Sequence, residues 1–198
     1  MFTKAAKNLT DGLVRSHVIP ESDFEVYCFG FEVGLAMAVN LLLSFIIGLL
    51  IGMPLESLLL LAVFIPLRSC AGGFHASSHF RCLWLSVLTV LAVLVSARLA
   101  ANLFTPALTL LLGGASATLI GMLAPVQDAN RPLDKAEVHL FKRRTKIALC
   151  ANLLVLILLL VFGFETSAMV SALTLLVVCL SLCAGAAKGL FLRIRRSR

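Results

Sequence analysis

The chain has 198 residues, of which 60% are hydrophobic and only 14% charged, with a formal net charge of +7 and a mean hydropathy of +1.03. That is more apolar surface than a soluble domain of this size can bury, so the composition excludes a water-soluble globule and predicts an integral membrane protein. The basic residues are not interleaved with aromatics, which sets nucleic acid aside and favours an anionic lipid surface as the partner of the positive charge.

The first thirty residues contain Lys4, Lys7, Asp11, Arg15, Glu21, Asp23 and Glu25, with no apolar core of signal-peptide length and no small-residue cleavage site before Phe29. The N-terminus is therefore expected to be retained and cytosolic. Phe2, Ala5, Ala6, Leu9 and Leu13 recur at helical spacing opposite Lys4, Lys7, Asp11 and Arg15, which predicts a short amphipathic helix, lying at the membrane surface or packed on loops. Residues 1–28 are read as a cytosolic or interfacial segment of a single membrane domain covering 1–198.

Six apolar windows follow, near 31–53, 56–69, 83–104, 106–124, 147–164 and 166–187, separated by signals such as Gly52-Met53-Pro54, Pro106, Pro125 and Phe164-Glu165. A spanning helix needs about 20 apolar residues, so an all-α polytopic protein of about six transmembrane helices is predicted. The second window is short and holds Pro66; four full spans with re-entrant segments are the competing topology. Lys and Arg cluster before residue 16, at Arg68 and Arg81, between Arg131 and Lys146, and from Lys188 to Arg198, with Arg98 the exception. These are alternate connections, so the positive-inside rule places both termini, a loop at 68–82, a basic loop at 125–146 and the basic tail 188–198 in the cytoplasm. Glu32 and Arg98 fall in or near spans, with no partner assignable from the sequence.

The six cysteines, Cys28, Cys70, Cys82, Cys150, Cys179 and Cys183, mostly fall in spans or on the reducing side. Free thiols are expected, with Cys150, Cys179 and Cys183 as small packing residues.

One stretch concentrates chemistry: Arg68-Ser-Cys-Ala-Gly72-Gly73-Phe-His75-Ala-Ser-Ser-His79-Phe-Arg81-Cys82. Polar and ionisable groups are costly at membrane depth, so such a cluster calls for a functional explanation. A cysteine becomes a nucleophile when a base, a cation or a helix N-terminus favours its thiolate. Cys82 has candidates for all three, since Arg81 adjoins it and a cap at Ser77 or Ser78 would place it near a helix start. Two histidines compete as base. His79 lies three residues before Cys82 and would share its helical face. His75 lies seven before, about 10.5 Å of rise on an unbroken helix, and reaches Cys82 only if the chain folds back. Gly72-Gly73 and Ser77-Ser78 offer places for that bend, and spacing leaves the two histidines nearly even.

The pattern Arg68-x-x-Ala71-Gly72-Gly73-Phe74-His75-Ala76, with Cys82 six residues later, resembles the signature of the accessory gene regulator B (AgrB) family of membrane cysteine endopeptidases that process quorum-sensing propeptides. Ala124-Pro125, Asn130-Arg131-Pro132 and the basic run Lys142 to Lys146 resemble the family's second cytoplasmic loop, and Phe74 stands where many relatives carry tyrosine. The resemblance implies His75 and Cys82 as the catalytic pair, with His79 unmatched. It further implies a short AgrD-like propeptide substrate, loss of its C-terminal tail through a thioester acyl-enzyme, and closure to a thiolactone or lactone, without cofactor or metal. Arg68, Gly72, Gly73, His79 and Arg81 are candidate supporting or positioning residues. Lys142, Arg143, Arg144 and Lys146 are candidates to receive an acidic substrate segment as well as anionic lipid. A monomer and a homodimer are both left open. Two rival readings are a metal-binding membrane protein using His75, His79 and Cys82 and a small membrane transporter, the latter without an apparent internal repeat.

Overall fold

The structure, a computed structural model, describes residues 2–73, 79–100, 103, 105–126 and 134–196, with backbone only at 79, 80 and 190–196. Seven α-helices follow in order: α1 (Phe2–Arg15), α2 (Phe24–Ile51), α3 (Pro54–Ala71), α4 (His79–Leu99), α5 (Pro106–Leu123), α6 (Lys135–Val161) and α7 (Glu165–Arg196). Six of them, α2 to α7, are long and apolar enough to cross a membrane, and no strand occurs among the described residues. The protein is an all-α, multi-pass membrane protein. Despite Pro66, α3 is one continuous helix of 18 residues, long enough to span, which favours six spans over four.

The helix boundaries have local causes. Gly52 takes a left-handed φ of 78° at the end of α2, and Pro54 opens α3 at its first position, where a missing N–H costs nothing. Gly163, with φ 78°, plays the corresponding part between α6 and α7. Thr105 accepts from the Leu108 amide (3.3 Å) ahead of Pro106. Asp134 and Glu137 form a reciprocal capping box, the Asp134 amide donating to Glu137 Oε2 at 3.1 Å.

At 28 residues, α2 is about 42 Å long, more than the roughly 30 Å of hydrocarbon it must cross. Its surplus carries α1, which doubles back along it with Ala6 and Thr10 buried, while Leu9 stays on the outside. Thr3 Oγ1 donates to Glu32 Oε1 at 2.8 Å, so Glu32 has its partner in the amphipathic helix. Arg98 is likewise accounted for: its Nη1 donates to the Ile51 carbonyl, one of the carbonyls left open at the end of α2.

The core sits around α7. Ala168, Val170, Ser171, Ala172, Leu175, Val178 and Leu182 are fully buried, and α7 packs on α3, α4, α5 and α6. Its closest neighbour is α5, which brings small residues to the contact. Gly113 lies against Ala172 and Leu156, flanked by buried Thr109, Ser116 and Ala117, the small-residue packing that lets membrane helices approach. A second cluster joins Leu60 and Leu61 of α3, Val90 and Leu94 of α4, and Met169 and Val170 of α7.

Contacts between helix ends alternate. Glu56 meets Ser167 (3.1 Å) and Arg98 meets Ile51 at one end of the bundle, whereas Ala71 meets Val126 (2.9 Å) and Gly73 approaches Ser181 at the other. Helices α3, α5 and α7 thus run in one direction and α2, α4 and α6 in the other. The basic residues of α1, α3, α6 and the described end of α7 gather at the second end, leaving Arg98 at the first.

Candidate functional site

The polar cluster begins where α3 stops. Gly72 has φ 77° and Gly73 φ 116°, both in the region that side-chain-bearing residues avoid. Each glycine is also hemmed in. A Cβ on Gly72 would overlap the Val126 carbonyl oxygen, and one on Gly73 would lie 2.6 Å from Arg68 Nη1 and 3.2 Å from the Ser181 carbonyl oxygen. The corner is tied down by backbone: the Val126 amide donates to the Ala71 carbonyl at 2.9 Å, and Gly72 pairs with Val126 in an isolated parallel bridge. Paired glycines therefore mark the place where two connections of the bundle touch.

Arg68 is partly buried in the last turn of α3. Its Nη1 donates to the Gly72 carbonyl, so the guanidinium curls over the corner instead of simply reaching outward to headgroups. It thereby serves a carbonyl that the ending helix leaves open. Arg68 lies in the last turn of α3 and Cys82 in the first turn and a half of α4, so the first and last residues of the motif stand at the same end of the bundle.

Helix α4 starts at His79, so Cys82 is its fourth residue and His79 is one turn before it. Cys82 and Arg81 are both exposed, which leaves the thiol open to a ligand at the helix start. Only residues 72 to 78 of the expected 68–82 loop separate the two helices. His75, Phe74, Ser77 and Ser78, and the side chain of His79, lie outside the described residues, as do Asn130, Arg131 and Pro132. The preference for His75 over His79 thus rests on the family resemblance, since spacing leaves the two nearly even.

The second half of the expected basic loop is helix: α6 already begins at Lys135. Lys142, Arg143, Arg144 and Lys146 are all exposed on it, while Thr145 among them is buried. At 100° per residue these four cations spread over about 200° of the circumference of α6, on the side away from buried Thr145, instead of forming one narrow stripe, an arrangement suited to a band of phosphates. The basic tail is also helical as far as Arg196.

All six cysteines are free thiols. Cys179 is buried, as a packing residue should be, but Cys150 and Cys183 lie on the outside of their helices, because the 3.6-residue period turns those positions away from the core. Among the described residues no group of three His, Cys, Asp or Glu is placed to hold a metal; the histidine side chains of the metal reading fall outside them.

Sequence reasoning missed two residues of the corner, Val126 and Ser181. Val126 had a weak signal, an apolar residue directly after Pro125 in a polar connection. Ser181 continues the spacing of Ser167, Ser171 and Thr174 along one face of α7, a hydroxyl-bearing stripe whose first member, Ser167, meets Glu56 of α3.

No curated protein and no solved structure matches the chain significantly. The sequence model described as Accessory gene regulator B matches residues 6–182, nearly the whole chain and every element around the corner from α1 to Ser181. With six candidate spans and that match, the chain belongs to the accessory gene regulator B family, whose members take part in processing accessory gene regulator quorum-sensing peptides.

Proposed function

We propose that the chain is a membrane-embedded cysteine endopeptidase that removes the C-terminal tail of an AgrD-like propeptide and promotes closure of the remainder to a thiolactone or lactone. One observation carries the reading. The Ala71-Gly72-Gly73 corner, pinned by Val126 and Arg68, stands at the same end of the bundle as the first turn of α4 with its exposed Cys82.

In this mechanism Cys82 Sγ attacks a substrate carbonyl carbon while His75 takes the thiol proton. The C–N bond then breaks, and His75 returns the proton to the departing amine of the tail. The remaining thioester is attacked by a substrate thiol or hydroxyl, which forms the ring and releases Cys82. With a thiol this exchanges one thioester for another and is nearly balanced in energy, whereas water would destroy the activated bond. A site at the membrane boundary helps to exclude water. Backbone N–H groups at the start of α4 are the natural oxyanion donors. His79 and Arg81 support the thiol, and Arg68, Gly72 and Gly73 position the loop. Lys142, Arg143, Arg144 and Lys146 engage headgroups and the acidic tail. The concentration of basic residues at one end supports a cytoplasmic location for that end, the termini included.

Co-expression with a candidate propeptide, read by mass spectrometry of the peptide, tests the assignment. Cys82→Ala and His75→Ala are expected to abolish cleavage and His79→Ala to retain it. Full processing by Cys82→Ala would end the nucleophile assignment, and the reverse pattern at the histidines would exchange their roles. Activity that a chelator removes from purified protein would favour the metal reading.

A further inference from the structure

Two thiols outside the motif share one face of α7. Cys179 and Cys183 are four residues apart on an unbroken helix, which sets their Cβ atoms about 5–6 Å from each other, and their side chains are hydrogen-bonded to one another. Their surroundings differ. Cys179 is 4% exposed, in the apolar cluster that also holds Leu175, Val178 and Leu182, whereas Cys183 is exposed. Packing accounts for the first cysteine and not for the second.

The spacing selects among the things that two thiols can do. A disulfide needs Cβ atoms about 3.5–4.5 Å apart, closer than one helical turn brings them. An ion between the sulfurs closes the gap, since metal–thiolate bonds of about 2.3 Å hold two sulfurs up to about 4.6 Å apart. Zinc takes four ligands, and among the described residues no third His, Cys, Asp or Glu joins this pair. Cu(I) is a soft ion that thiolates select, and it is stable with two of them in line. Binding exchanges two S–H bonds for two S–Cu bonds and releases two protons, which leaves a complex of charge about −1. Cys183 lies 18 residues beyond Glu165, about 27 Å along the helix and close to the far limit of the roughly 30 Å of hydrocarbon. That is the end at which the basic side chains gather, with Lys188 further along the same helix, so an anionic complex is favoured there.

We propose that Cys179 and Cys183 form a two-coordinate Cu(I) site at the basic end of α7. Cys183 receives the ion at the helix surface and Cys179 holds it from the core side. The site is separate from Cys82, which belongs to α4, and stands whether or not the chain is a peptidase.

The test titrates Cu(I) into the full chain in detergent, without oxygen or added thiol, against bathocuproine disulfonate as a coloured competitor. Wild type is expected to withdraw one Cu(I) more tightly than any other. Cys183→Ser, a change at an exposed position, should weaken that binding about 100-fold or more, because the second thiol on the same helix acts as a tethered ligand. The double variant Cys183→Ser/Ala184→Cys keeps an exposed thiol on α7 but turns it 100° round the helix, and it is expected to behave like Cys183→Ser. Cys150→Ser, at a lone thiol on the outside of α6, should match wild type. X-ray absorption of the copper-loaded chain should show two sulfur neighbours. Equal affinity in wild type and Cys183→Ser, full affinity in the relocated variant, or a copper with four neighbours would each overturn the site. Loss of the tight equivalent in Cys82→Ala would place the copper on the motif and overturn it as well.

Discussion

At the scale of single residues, the glycines of this chain are not equivalent, and the structure separates them by what surrounds each Cα. Gly72 has φ 77° and no room beside the Val126 carbonyl, whereas Gly114 lies in the middle of α5 with nothing within 4 Å of a built Cβ. Gly72→Ala is therefore expected to cost about 1–3 kcal/mol from backbone strain, and more from the overlap with a carbonyl that cannot swing away. Gly114→Ala should cost nothing and gain up to roughly 1 kcal/mol. Thermal unfolding of the two variants in detergent checks both signs, and peptide processing should fall only for Gly72→Ala. The motif was legible at this scale because Arg, Gly, His and Cys carry their chemistry in their identity. The contacts of Gly72 with Val126, 54 positions along the chain, had no such mark.

At the scale of elements, helix ends explain features that hydropathy leaves unassigned. Arg98 breaks the charge asymmetry of the sequence, and its guanidinium meets the open Ile51 carbonyl at the end of α2. Arg98→Ala should destabilise the α2–α3 turn by about 1.5 kcal/mol, the lower end of the worth of a hydrogen bond with a charged partner, since Arg98 is exposed. It should not affect peptide processing beyond what the loss of folded protein accounts for. Asp134 closes the start of α6 through its box with Glu137, and Asp134→Ala is expected to cost about 1 kcal/mol. Fraying should show as faster amide exchange in the first turn of α6, with the cations from Lys142 to Lys146 further along remaining on helix. The spans themselves were readable from apolar length, but their ends were not. Charged residues such as Lys135 to Lys146 resemble a loop by composition, yet they continue a helix because a cap precedes them and an apolar run follows.

At the scale of the whole molecule, burial and charge divide the protein in two directions. Across the bundle, α7 is the covered helix: 61% of its spanning window is buried, against 11% for the first span. Along the bundle, the described basic side chains gather at the end that holds the Gly72–Gly73 corner and Cys82, with Arg98 at the opposite end. The proposed orientation makes a direct prediction. In intact cells a membrane-impermeant maleimide should label Arg98→Cys from outside and leave Cys82 unlabelled until the membrane is opened. Labelling of Cys82 from outside would invert the topology and move the proposed chemistry across the membrane.

The sequence by itself determined that this is a six-span helical membrane protein, because lipid demands long apolar segments with their backbone satisfied internally and such segments are visible residue by residue. It also marked one stretch that concentrates histidine, cysteine and arginine, and carried enough of the motif for a family resemblance that the match over residues 6–182 bears out. Only the tertiary structure decided that α7 lies at the centre, that Glu32 is held by Thr3 and Arg98 by the end of α2, and that Val126 and Ser181 close around the paired glycines. The reason is physical: apolar faces in a membrane protein pack by shape, with lipid as apolar as any neighbour. Which helix meets which is therefore fixed by small residues and scattered hydroxyls whose significance appears only once their partners are beside them.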